Sequence, residues 1–288
     1  MQTYTFKEVD GLELQADVHL PDHVDGPLAT VVSLHGGALI MGSRRDFDGG
    51  LVDKLVEAGI AVVSPDYRLA PETKLPGIWM DVAASFRWVR EEGPALWGAD
   101  PDRIGVHGVS AGGYLALLAG CRIEPALGVV GSYAGYGDIT AAWYAEPSEW
   151  YCSRDPIPEA TARAAVGQGV PVDGQCARAS YYCYLRQNGL WPEQVGGSAD
   201  LEGYCPLRIA TSSFPPAVLF HGAVDHDVPY EQSAAFVTRL EERGVEHRFL
   251  PLEGVDHVFS GASDVDAERV REETAAFMIE RLGSTSAA

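Results

Sequence analysis

Basic residues are scarce in this chain: 21 Lys and Arg stand against 41 Asp and Glu in 288 residues, a formal net charge of −20. A surface of that sign repels phosphate backbones and anionic lipid headgroups, so neither nucleic acid nor a membrane is expected as a partner. Long apolar runs are missing as well. No stretch approaches the roughly 18 consecutive apolar residues of a membrane span, and the opening MQTYTFKEVDG lacks a basic-then-apolar signal pattern, so a soluble, cytoplasmic protein is expected. Cysteine is sparse and odd in number, at five. A disulfide scaffold is therefore unnecessary, and although Cys152, Cys176, Cys183 and Cys205 fall in one region, their spacing fits no zinc pattern and reduced thiols are expected. Repeats and low-complexity tracts are absent apart from a short polar tail, GSTSAA (283–288), expected to fray. With 46% hydrophobic and 22% charged residues, disorder and coiled coil are both excluded, which leaves a globular chain of one domain carrying an insertion.

What is present is an alternation of two periods. Segments 4–9 and 12–20, split by Asp10-Gly11, predict an antiparallel hairpin, because that dipeptide accepts the positive φ values of a tight turn. ATVVSLH (29–35), IAVVSPD (60–66), RIGVHGVS (103–110), ALGVVGSYA (126–134) and PAVLFHG (216–222) are nearly continuous apolar runs, as strands buried on both faces require. Between them, 47–58, 78–92, 111–120, 231–243 and 265–282 space their apolar residues three and four apart, predicting helices. The order predicts an α/β fold with a mostly parallel central sheet and helices on both faces. Residues 136–213 break the rhythm, being rich in Trp and Tyr without a clear βα unit. They are read as an inserted cap over a core made of 1–135 and 214–288.

The chemistry-bearing residues lie at strand ends. Gly108-Val109-Ser110-Ala111-Gly112-Gly113 sits between a strand and a helix, the setting in which a GxSxG turn exposes a strained serine hydroxyl. His35-Gly36-Gly37-Ala38 ends another strand, and its glycines let backbone N–H groups approach a developing oxyanion; Gly37, Ala38 and Ala111 are the candidate donors. Ser110 needs a base, and the base needs an orienting acid. Among eight histidines, His257 lies in the loop between the strand-like HRFLPL and the last helix, whereas His35 and His107 read as core histidines and His19, His23 and His247 as structural or exposed. The acid is Asp225 in HGAVDHDVP; Asp227, just before Pro229, reads instead as a cap of the following helix.

In order along nearly the whole chain, HGGALIMGS, SPDYRLAPE, GVSAGGYLA, HGAVDHDVP and GVDHVF resemble the α/β-hydrolase superfamily, in particular its carboxylesterases related to hormone-sensitive lipase and the feruloyl or acetyl esterases. Three features depart from the lipase-like pattern: Ala38 replaces the third glycine of the usual HGGG, the acid motif HGxxDxxVP looks more like the feruloyl-esterase and prolyl-oligopeptidase branches, and the cap matches no family cap. Within SPDYRLAPE, Arg68 and Glu72 are expected to pair with each other. The resemblance implies a serine hydrolase that cleaves a small carboxylic ester through an acyl-enzyme, with Ser110, Asp225 and His257 catalytic and no metal or organic cofactor. A peptidase or amidase, an acyltransferase and a lactone- or C–C-cleaving enzyme would keep the same motifs; a non-catalytic ligand receptor tends to lose one of the three residues. Trp143, Trp150 and Tyr182 are candidates for a substrate pocket, the alternative being that they pack the cap's own interior. Oligomeric state is left open, a homodimer included.

Overall fold

A computed structural model describes residues 1–22, 26–167, 169–174 and 178–283. His23, Cys176 and the tail after Gly283 lie outside the described residues. Eight strands, β1 (Gln2–Val9), β2 (Leu12–His19), β3 (Leu28–Leu34), β4 (Ala61–Pro65), β5 (Ala99–Val109), β6 (Val129–Tyr133), β7 (Ala217–Gly222) and β8 (His247–Leu252), form one sheet in the order β1-β2-β4-β3-β5-β6-β7-β8. β2 is antiparallel to both β1 and β4 and every later pair is parallel, so β2 alone runs against the rest. The hairpin turn has Asp10 and Gly11 at φ 53° and 81°, as the dipeptide implies.

The pleat sorts successive strand residues onto two faces. Val32, Val63, Val130 and Leu219 join one core, while Val31, Val62, Val129 and Val218 join the other. Helices α1 (Gly49–Glu57) and α12 (Asp264–Leu282) cover the second core, bringing Leu51, Leu55, Val270 and Met278 onto it. On the first lie α2 (Leu75–Glu91), α3 (Gly93–Trp97), α4 (Ala111–Arg122) and α11 (Glu231–Glu242). Helix starts follow local chemistry. Asp48 caps α1 through the N–H of Leu51, which moves its start past 47, and Ser263 caps α12 through the N–H of Asp266. Proline is tolerated in a first turn, so Pro76 lets α2 begin at Leu75, before the expected 78.

Between β6 and β7 the chain makes an excursion through α5 (Ala142–Ala145), α6 (Glu149–Cys152), α7 (Glu159–Ala164), α8 (Ala179–Asn188), α9 (Trp191–Gly196) and α10 (Pro206–Ile209). Among the described residues it builds no hydrophobic cluster of its own. Tyr136, Tyr144, Tyr181, Leu185 and Trp191 are buried in the same core as α2 and α4. Tyr114 of α4 stacks on Tyr136, whose ring meets Tyr144 and Trp191 edge-on, while those two stack on each other at 4.1 Å.

The excursion is also tied to the core by a buried ion pair. Arg178 donates to both carboxylate oxygens of Glu72, at 3.1 and 2.6 Å, and to the carbonyls of Ile40 and Ala70. The expected pairing of Arg68 with Glu72 is therefore corrected: Arg68 holds Asp81 of α2 at 2.7 and 2.8 Å. Residues four apart face each other on a helix, and 66–72 are not helical. Removing one partner of a buried pair strands the other charge. Glu72→Ala is expected to lower the unfolding free energy by about 3 kcal/mol, read by urea denaturation; a change below about 1 kcal/mol would show that the pair does not hold the excursion down.

Candidate active site

Because β3, β5, β7 and β8 run parallel, the loops after them emerge at one edge of the sheet. Ser110 follows β5 directly and starts α4 with φ 56° and ψ −117°, a conformation that L-residues rarely adopt. The flanking glycines are sterically required. A Cβ on Gly108 would lie 2.1 Å from the Gly112 carbonyl oxygen, and one on Gly112 would lie 2.0 Å from that of Leu34. The strand can turn into the helix this tightly only without side chains at those two positions, and that turn presents the Ser110 hydroxyl.

His257 and Asp225 meet this hydroxyl in series. His257 Nδ1 is 2.7 Å from Asp225 Oδ2, and Nε2 is 3.0 Å from Ser110 Oγ. A carboxylate only accepts, so Nδ1 carries the proton and Nε2 is left to accept from the serine. Asp225 is held on every side. Its Oδ1 accepts the N–H groups of Asp227 and Val228, at 2.9 and 2.8 Å, and His221 Nε2 stands 3.3 Å from Oδ2. Burial opposes ionisation of Asp225, but hydrogen bonds from His221 and His257 outweigh it and hold the carboxyl well below the usual carboxylate range. For His257, too, burial favours the neutral ring; the bond to Asp225 and the charges of Asp227, Asp225 and Asp256 overcome it and raise its pKa. His35 and His107 are the opposite case: both are fully buried without a carboxylate contact, and desolvation pushes each down to about 4.

The His35–Ala38 turn lies beside the serine. An added Cβ on Gly36 would be 3.4 Å from Ser110 Cβ, and one on Gly37, at φ 100°, would be 2.1 Å from the Met41 carbonyl oxygen. Ala38 and Leu39 also have positive φ, at 56° and 62°. The backbone N–H groups of Gly37, Ala38 and Ala111 find no acceptor among the described residues. The excursion grips this turn: Trp191 Nε1 donates to the Ala38 carbonyl at 3.1 Å, and Gly174 pairs with Gly42 by two backbone bonds of 3.0 Å.

Around Ser110 opens a cavity of about 780 Å³, bounded by the glycine turn, the start of α1, Phe259, Arg271, Tyr182 and Asp227. Of the aromatic candidates, Tyr182 lines it and Trp143 and Trp150 do not. Trp143 is stacked on Tyr144 at 3.6 Å, and Trp150, 38% exposed, stacks on His226 at 4.2 Å, because flat rings at these positions find other rings nearer than the cavity. Asp227 is a second correction. No side-chain cap bond is made at the start of α11, whose N-cap is Tyr230; Asp225 makes the turn-closing bonds instead, and Asp227 faces the cavity.

A family model for the alpha/beta hydrolase fold matches residues 31–261. The chain belongs to the alpha/beta hydrolase fold family. This alpha/beta hydrolase is similar in structure to a Staphylococcus aureus protein of unknown function, with a TM-score of 0.83 at 22% identity over 98% of this chain and 100% of that one. A bacterial heroin esterase superposes with a TM-score of 0.72 at 22% identity over 98% of this chain and 84% of that one. By sequence it is 28% identical to the non-reducing polyketide synthase ausA of Aspergillus calidoustus over 93% of its own length and 13% of that protein's; the chain thus spans a small fraction of such relatives. A shorter match, 43% identical, covers 35% of this chain and 31% of the esterase LipI of Mycobacterium tuberculosis. Tyr151 was read only as one of several aromatics that could line a pocket, and Arg186 was not legible as a site residue, because only the fold brings the excursion against the loop after β7.

In this hydrolase fold the imidazoles are predicted to separate in an NMR pH titration. His257 should titrate above the ordinary value of 6.5, and Asp225→Asn should lower its midpoint by removing the donor-acceptor partner. His35 and His107 should stay neutral until about pH 4. A His257 midpoint below 6.5 would contradict the geometry.

Proposed function

We propose that this chain is a carboxylic ester hydrolase that works through an acyl-enzyme on Ser110. The observation that carries the reading is the series Ser110–His257–Asp225, with contacts of 3.0 and 2.7 Å, at a strained strand-to-helix turn that opens into a cavity. His257 Nε2 takes the hydroxyl proton as Oγ attacks the ester carbonyl, and Asp225 orients the ring and balances the imidazolium. The N–H groups of Gly37, Ala38 and Ala111 receive the oxyanion. Collapse of the tetrahedral adduct breaks the bond to the alkoxy oxygen, which leaves with the proton from Nε2. Water then gives its proton to His257, attacks the acyl carbonyl and releases the acid and Ser110. Residues 136–213 act as the cap, with Tyr182 lining the alcohol or acyl site.

The family and the names of the esterase neighbours support hydrolysis of small esters. The polyketide synthase relatives, matched over nine-tenths of this chain, favour a second reading in which the acyl group comes from a thioester and the acceptor is water or another nucleophile.

Hydrolysis of p-nitrophenyl and naphthyl esters from acetyl to decanoyl, with an acyl thioester beside them, tests the assignment. Wild type should turn over short-chain esters, and Ser110→Ala should lose about 10⁴-fold or more in kcat while remaining folded. Retention of most activity in that variant would overturn the role of Ser110; turnover of the thioester alone would favour the second reading.

A further inference from the structure

Asp227 is held by the excursion on one side and lines the cavity on the other. Its Oδ1 accepts from the hydroxyls of Tyr151 and Tyr182, at 2.9 and 2.7 Å, and from Arg186 Nη1 at 3.0 Å. Arg186 Nη1 also donates to the Asp227 carbonyl at 2.9 Å. These donors come from α6 and α8 of the excursion, and Arg186 is itself buried beneath the rings of Tyr144 and Tyr151, each about 5.0 Å from its guanidinium. One oxygen of the carboxylate is thereby saturated and its rotamer fixed.

The other oxygen faces the reacting atoms. Oδ2 has no hydrogen-bond donor among the described residues, and it lies 3.7 Å from His257 Nε2 in the wall of the cavity. Nε2 is the atom that hands a proton to the departing alkoxy oxygen, which must therefore come within hydrogen-bond reach of it. The carbons attached to that oxygen then pass beside Oδ2. In an O–C–C–X fragment, X can fold back to bond an acceptor placed next to the donor that holds O. A fixed, partly buried acceptor rewards a donor at X and is left unpaired by an alkyl or ether group. Because Arg186 already neutralises the carboxylate, the discrimination comes from the directed bond more than from long-range charge.

We propose that Asp227 is a specificity-determining residue that selects esters whose alcohol half carries a hydroxyl or protonated amine on the carbon beyond the ester-bearing one. The inference rests on the reading of Ser110 and His257 as the reacting pair.

The test compares kcat/KM, from pH-stat titration of the released acid, for ethyl, 2-methoxyethyl, 2-hydroxyethyl and 2-(dimethylamino)ethyl acetates in wild type and Asp227→Asn. The amide variant keeps an oxygen for Tyr151, Tyr182 and Arg186 and replaces only the cavity-facing acceptor by a donor. Asp227 also contributes to the raised pKa of His257, so absolute rates will change. Both substrates of a pair use the same His257, however, and that change cancels in their ratio. Wild type should prefer the hydroxyethyl or dimethylaminoethyl ester over its ethyl and methoxyethyl counterparts by about tenfold or more, the scale of one charge-assisted hydrogen bond, and Asp227→Asn should reduce the ratio towards one. The arm that shows the larger preference identifies the donor. Equal kcat/KM for all four esters in wild type, or a ratio that survives in Asp227→Asn, would overturn the inference while leaving the esterase reading intact. Absence of turnover on every ester, with Ser110 unlabelled by an organophosphonate, would overturn both.

Discussion

The site depends on two close approaches of backbone to backbone. Where β5 becomes α4, Gly108 packs against the carbonyl of Gly112, and Gly112 against that of Leu34 in β3, at separations that admit no Cβ. The turn that results holds Ser110 in a disfavoured conformation, and the surrounding sheet over-determines it: its N–H bonds the Tyr133 carbonyl of β6 at 2.7 Å and its carbonyl accepts from Tyr114. The strain is local and its support is global. A parallel sheet then places the loops after β3, β7 and β8 at the same edge, so that a hydroxyl, an imidazole and a carboxylate from distant parts of the chain need no long connections to meet.

A second layer of organisation comes from the excursion between β6 and β7. Most of its buried aromatic rings extend the main core, Tyr182 also lines the cavity, and several of its polar side chains bond the glycine turn and the loop after β7. Trp191 bonds the Ala38 carbonyl within the positive-φ turn at 37–39, and Arg178 and Gly174 bond Ile40 and Gly42 just after it. Tyr151, Tyr182 and Arg186 secure Asp227 in the loop that also carries Asp225. The same excursion thus bonds both the glycine turn and the loop that carries Asp225 and Asp227.

Local chemistry accounts for what could be read without the fold. The GxSxG and HGGA turns are steric statements about neighbouring residues, so Ser110, Gly37, Ala38 and Ala111 were visible in the chain, as were Asp225 and His257 from their places after buried strands. The alternation of strand and helix was equally plain, because burial on both faces of a parallel sheet leaves continuous apolar runs. Errors arose wherever a side chain had more than one geometric option. Glu72 met Arg178 and Arg68 met Asp81, Asp225 and not Asp227 closed the turn before α11, and Trp143 and Trp150 stacked on other rings.

The sequence by itself determined the sheet, its covering helices and the identity of the residues at its carboxyl edge, since these follow from hydrophobic period and from glycine's unique freedom. Only the tertiary structure decided how those residues are coupled: the saturation of one Asp227 oxygen and the exposure of the other, the burial of Arg178 against Glu72, and the grip of Trp191 on Ala38. Such pairings join residues 41 to 153 positions apart. No local pattern encodes them, because each depends on where two independently folded stretches of chain come to rest against each other.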